Sequence, residues 1–157
     1  MTDGNQTSPT GIARFRSLAA SLAQFCSAEL QFTGPLAVLV DEAQAARLLI
    51  EFDEIETSAH VVFPFMPIPQ DANLAAALVA RLLGMSAVTA ALGGASFGSD
   101  IERGQYCLVL SLELGMEQAE FVKAVHQLVM MGKRVCAAVE DLLAAEHAMR
   151  PGHVDRA

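Results

Sequence analysis

The stretch Glu117–His147, EQAEFVKAVHQLVMMGKRVCAAVEDLLAAEH, decides the fold. Phe121, Val125, Leu128, Gly132, Val135, Val139 and Leu142 recur at alternating spacings of four and three, and Val122, Val129, Cys136 and Leu143 add a second row every seven residues. Lys123, Gln127, Lys133, Arg134 and Glu140 fall largely outside this stripe. That pattern predicts one long amphipathic helix with a wide apolar face.

Just upstream the period changes from helical to two. Tyr106, Leu108, Leu110, Leu112 and Leu114 alternate with Cys107, Val109, Ser111 and Glu113. Gly93–Gly98 and Tyr106–Leu114, separated by the polar turn Ser99–Gly104, therefore read as a β-hairpin. Further back, Ala72 to about Met85 is nearly all Ala and Leu, with Arg81 its sole charge. A helix apolar nearly all round is buried either in its own fold or by another chain, and a domain this small favours a subunit contact. Pro67, Pro69 and Asp71 form the turn leading into it.

Three strands are expected before that helix. Leu36–Val40 is a short apolar strand; Leu48, Ile50 and Phe52 alternate with Leu49, Glu51 and Asp53; Val61, Phe63 and Phe65 alternate with His60, Val62 and Pro64. Pro64 removes a ladder donor, so its strand is expected at an edge or with a bulge. The chain opens with a helix. Ile12, Phe15, Leu18, Leu22 and Phe25 recur at helical spacing, with Ala19, Cys26 and Leu30 widening the face, Thr10 as its N-cap, and Thr33, Gly34 and Pro35 as its stop. The result is an α+β fold: helix, three strands, helix, two strands, long helix, with a twisted, mainly antiparallel sheet packed by helices, in a homodimer. Residues 10–148 form one domain between disordered tails at 1–9 and 149–157.

Of the 157 residues 53% are hydrophobic, and the mean hydropathy is +0.38, high for a domain of this size. Either the core is very dense or some apolar surface awaits a partner. The net charge of −8 argues against nucleic acid and against anionic membranes, because both need clustered Lys and Arg. Cys26, Cys107 and Cys136 lack CxxC spacing and sit in apolar patterns, as buried thiols of a reducing compartment do. No signal peptide is expected, since Asp3 and a polar run occupy the start. The uncharged run Leu82–Ser99 is not expected to span a membrane, being rich in Gly, Ser, Thr and Ala and broken by Gly93–Gly94.

No reaction is encoded in a recognisable motif. Gly93–Gly98 lacks the Lys-Ser/Thr and following helix of a phosphate loop. His60, His126, His147 and His153 form no HExxH or other ligand pair, no serine sits in a nucleophile elbow, and no cofactor or metal is expected. Glu51, Asp53, Glu54 and Glu56 crowd one strand and its turn. They are either a solvated face or a docking strip for a basic segment.

The segment Leu92–Asp100, LGGASFGSD, followed by Leu108-Val109-Leu110-Ser111 and the apolar long helix, resembles the class I type III secretion chaperones, the Tir-chaperone or CesT family. The likeness covers roughly Thr10 to His147. It implies a small, acidic, cytoplasmic homodimer, not an enzyme, that holds the N-terminal region of a secreted effector extended and delivers it to the secretion machinery and its ATPase. A broad-specificity member of the HpaB kind fits the same pattern. The resemblance implies a dimer contact through the second helix and a neighbouring strand: Leu74, Leu78, Leu82, Leu83 and Val109. It implies an effector contact on the first helix and the sheet: Phe15, Leu18, Leu22, Val62 and Phe63, with Glu51 and Asp53 steering basic clients. A regulatory binding protein of the same secretion system is the alternative; a small-ligand module or enzyme is a third.

Overall fold

The computed structural model describes residues 11–41, 46–55, 57–91 and 93–149. The expected tail at 1–9, the Thr10 cap and the end of the chain from 150 lie outside these residues, as does most of the Asp41–Ala46 loop.

The elements are α1 (Gly11–Cys26), β1 (Glu29–Thr33), β2 (Leu36–Val40), β3 (Ala46–Asp53), β4 (Ser58–Pro67), α2 (Ala72–Ala91), β5 (Ser96–Asp100), β6 (Gln105–Glu113) and α3 (Gln118–Met149). The α+β class and the order of helices are as expected, but β1 is an additional strand. The helix expected to run to Leu30 stops at Cys26. Ser27 takes a left-handed φ of 51°, its N–H bonds the Gln24 carbonyl at 3.3 Å, and the Ala28 N–H bonds the Ala23 carbonyl at 3.0 Å. These two reversed bonds close a helix C-terminus, a place usually taken by glycine. Gly34 (φ 60°) and Pro35 are then the turn of the β1–β2 hairpin, not a helix stop.

All neighbouring strands pair antiparallel in one sheet of order β1-β2-β3-β4-β6-β5. Pro64 does not mark an edge. Strand β4 is central, between β3 and β6, and the ladder shifts register between Pro64 and Met66, so the missing donor falls at a bulge. Residues paired across the ladder project to one face. One face thus collects Ala37, Leu39, Leu48, Ile50, Phe52, Ala59, Val61, Leu108 and Leu110, all buried.

Helices α1 and α3 cover that face. Phe15 of α1 stacks on Phe52 with ring centroids 5.5 Å apart and meets Phe32 edge-on at 6.3 Å. Arg14 holds α1 to the β6–α3 turn: its Nε donates to the Leu114 carbonyl at 3.2 Å and its Nη2 to that of Met116 at 2.8 Å. In α3 the side chains of Phe121, Val125, Leu128, Val135 and Val139 are buried, as their spacing predicts. At Gly132 the helix backbone lies so close to β4 that an added Cβ would strike the ring of Phe63.

Helix α2 is capped by Asp71, whose Oδ1 accepts the N–H groups of Asn73 and Leu74, each at 2.9 Å. It meets the sheet mainly through β5. The β5–β6 turn is clasped by Asp100, which accepts from the Arg103 side chain at 2.6 Å and its N–H at 3.0 Å. The Arg103 side-chain hydrogen bond holds the Asp100 carboxyl below its usual range. No helix among the described residues is long and apolar enough to cross a membrane.

Candidate functional site

The early end of α1 opens a cleft. The chain turns at Ser27 and returns as β1. The cleft, of about 1380 Å³, lies between this end of α1, the β2 and β3 ends, β4 and the middle of α3. Leu39, Leu48, Phe63 and Val129 supply apolar lining. Phe25 and Met130 stand at it 59% and 43% exposed, and the Phe25 ring meets His126 edge-on at 5.8 Å. Arg47, Lys133, Glu29 and Asp41 add charge of both signs, with Arg47 bonded to Asp41 at 3.0 Å. Cys26 also lines it: expected to be buried, it is exposed there, and desolvation holds its thiol above the ordinary value.

Strand β1 borders this cleft and, among the described residues, is an end strand of the sheet, paired with β2. Its five residues, ELQFT, carry one charge, Glu29, and no proline or bulge. Phe32 is 41% exposed, with the Arg16 guanidinium 5.7 Å above its ring.

The residues expected to touch a client fall into different places. Phe15, Leu18 and Leu22 are core residues, at most 1% exposed, so they are corrected from client contact to packing. Their stripe points into the sheet and α3, and Phe25 is the α1 residue left outside. Val62 and Phe63 lie on opposite faces, as expected: Val62 on the face away from α1 and α3, Phe63 under α3 and lining the cleft. Glu51 is exposed and Asp53 half-buried on the same face as Val62.

The expected dimer residues also divide. Leu78 and Leu82 are buried within the chain, which corrects them to core, while Leu74 and Val109 are half-buried. Leu83 is 67% exposed and Val79, one turn earlier, 41%. The sequence names Phe25 and Val129 only as members of apolar stripes, and it did not single out Val79 or Met130. Among the described residues no three His, Cys, Asp or Glu side chains converge on a metal-ligating geometry.

The α+β fold that carries this cleft, three helices and a six-stranded antiparallel sheet among the described residues, is similar to that of solved chains from two protein complexes. A chain of the HopA1–SchA chaperone–effector complex matches with a TM-score of 0.57 over 83% of this protein and 98% of that chain, at 14% identity. A chain of the ExsC–ExsE complex matches with a TM-score of 0.62 over 80% of this protein and 93% of that chain, at 11% identity. At such identities the likeness is one of fold. No family model matches the sequence, and no curated protein does.

Proposed function

We propose that this protein is a cytoplasmic type III secretion chaperone that binds the N-terminal region of a secreted effector and keeps it extended for delivery to the secretion ATPase. The observation that carries the reading is the cleft lined by Phe25, Phe63, Val129 and Met130 beside β1, an end strand in the order of the described sheet. An extended segment can pair with such an edge through main-chain hydrogen bonds while its apolar side chains enter the adjoining cleft. Main-chain pairing tolerates many sequences, so the arrangement suits clients that share little beyond apolar anchors. Fold likeness to a chain from a chaperone–effector complex supports the same reading.

Its test is binding of a co-expressed secreted protein from the same secretion system. Phe25→Glu and Met130→Glu are expected to lower client affinity by at least about 2 kcal/mol each, the scale of an interface anchor, with an unchanged melting temperature. Calorimetric titration of purified variants measures it. Client affinity equal to wild type in both variants overturns the cleft assignment.

The protein works as a homodimer through the exposed side of α2, where Val79 and Leu83 stand one turn apart. Burying one leucine contributes about 1.5–3 kcal/mol, and a twofold contact uses each side chain twice. Leu83→Glu is expected to give a folded monomer in sedimentation velocity. Leu82→Glu, with its side chain only 4% exposed, is expected to unfold the chain instead. A Leu83→Glu variant that still sediments as a dimer moves the contact elsewhere.

A further inference from the structure

The face of the sheet turned away from α1 and α3 carries a polar strip of definite register. Asp53, Ser58 and Glu113 lie directly opposite one another across β3, β4 and β6, and Glu51, His60 and Ser111 form the next row. Three carboxylates therefore share this strip with one imidazole. Arg47, the one base of β3, lies six residues from Asp53, about 20 Å along the strand, and is bonded to Asp41.

Acidic rows on strands are common, but Ser58 is not explained by solvation. It is 8% exposed, and its buried Oγ has no hydrogen-bond partner among the described residues. Its cross-strand neighbours on both sides bear carboxylates, which could accept its proton, yet it bonds to neither. Buried hydroxyls are nearly always satisfied, so an orphan between two acids is a place prepared for a third group. The neighbouring contacts are already arranged. His60 Nδ1 is 2.8 Å from Ser111 Oγ, His60 Nε2 is 3.8 Å from Asp53 Oδ2, and Asp53 Oδ1 accepts the Ile55 N–H at 2.9 Å.

We infer that this strip is a subsite for an arginine side chain of the client's extended segment, an inference that rests on the chaperone reading above. The guanidinium sits over Ser58 between the Asp53 and Glu113 carboxylates, with Ser58 Oγ rotated to accept one of its N–H groups. The group must be a cation, because its flanks are carboxylates, and a multiple donor, because it serves two carboxylates on strands two apart and a hydroxyl between them. A planar guanidinium with five N–H donors meets both conditions; an ammonium is a point charge and does not fork. Next to the strip runs an apolar row, Val38, Leu49, Val62 and Val109, aligned across β2, β3, β4 and β6. Side chains on one face of a strand recur every second residue. A segment lying along β4 with arginine over Ser58 therefore brings the residue four places away over Val62. The recognised pattern is an arginine and an apolar residue four positions apart.

The probe is a blocked hexapeptide, Thr-Arg-Thr-Thr-Thr-Leu, titrated into full-length protein and read by amide chemical shifts, beside versions with citrulline or lysine in place of arginine. The arginine peptide is expected to shift the Ser58 and Glu113 amides, and citrulline, which has the same shape without charge, to weaken binding roughly tenfold or more. Glu113→Gln and Ser58→Ala are expected to weaken it similarly. Ser58→Ala, which removes an unsatisfied hydroxyl, is expected to melt no lower than wild type, separating lost binding from lost folding. No shift at these amides at millimolar peptide, or equal binding of the citrulline or lysine peptide, overturns the inference. A client that binds wild type, fails on Phe25→Glu and ignores both Glu113→Gln and Ser58→Ala removes this subsite and leaves the chaperone reading standing. If no secreted protein binds at all, the chaperone reading fails, and an arginine peptide that still shifts the strip keeps the subsite.

Discussion

Leu128→Asp is expected to abolish the cooperative thermal transition of this protein. Leu128 is 2% exposed, at the centre of the α3 stripe between Val125 and Val135. Removing a buried leucine costs about 2–5 kcal/mol through lost transfer and residual cavity. The carboxylate put in its place has no basic group among the buried residues, so it must be ionised without a partner or protonated at a further cost. Total stability of a domain this size is about 5–15 kcal/mol, so one substitution removes most of it. Gln127→Asp, one residue away on the exposed side, is the control and is expected to change stability by less than about 1 kcal/mol. Circular dichroism during heating measures both. A cooperative Leu128→Asp melt within a few degrees of wild type would refute the placement of α3 on the sheet.

Gly132→Val is expected to destabilise the protein by about 3 kcal/mol, the upper range for overpacking a filled core. In an isolated helix, replacing glycine by alanine stabilises by about 0.8–1 kcal/mol. Here the sign reverses, because the new Cβ would overlap the Phe63 ring and Cζ alone lies 3.0 Å from it. Relief requires the ring to leave its place against α3 for the cleft it lines, or the helix to shift away from β4. In a Phe63→Ala background the obstacle is gone, and Gly132→Ala is expected to recover its ordinary stabilising sign. A double-mutant cycle by urea denaturation measures the coupling, expected at about 1–3 kcal/mol. Additive effects of the two substitutions would mean that α3 and β4 do not meet at this point.

Much of this architecture is visible in local patterns. The α3 stripe is one of these, as are the β6 alternation, the β5–β6 hairpin and the bulge at Pro64. Each follows from a period or a backbone restriction within a few residues. Strand β1 was not visible, because the α1 terminus at Ser27 uses a serine in the left-handed region and so lacks the expected glycine signal. Gly34–Pro35 punctuates either a helix stop or a hairpin, and the bonds from Ala28 and Ser27 decide between them.

The site was less legible than the fold. Phe15 and Phe25 belong to one apolar stripe, yet they differ by about 80° around the helix, and that difference puts Phe15 against Phe52 and leaves Phe25 over the cleft. In α2, Leu82 and Leu83 are adjacent and chemically alike, but one is buried in the chain and the other stands open. By itself, then, the sequence determined the element types other than β1, the apolar side of each long helix, and the acidic balance. The tertiary structure alone decided which part of each apolar side is core and which is free, and it alone brought Asp53, Ser58 and Glu113 into one row. The physical reason is range: periodicity is a property of a single element's geometry, whereas exposure and register depend on residues 50 or more positions away in the chain, as Ser58 and Glu113 are.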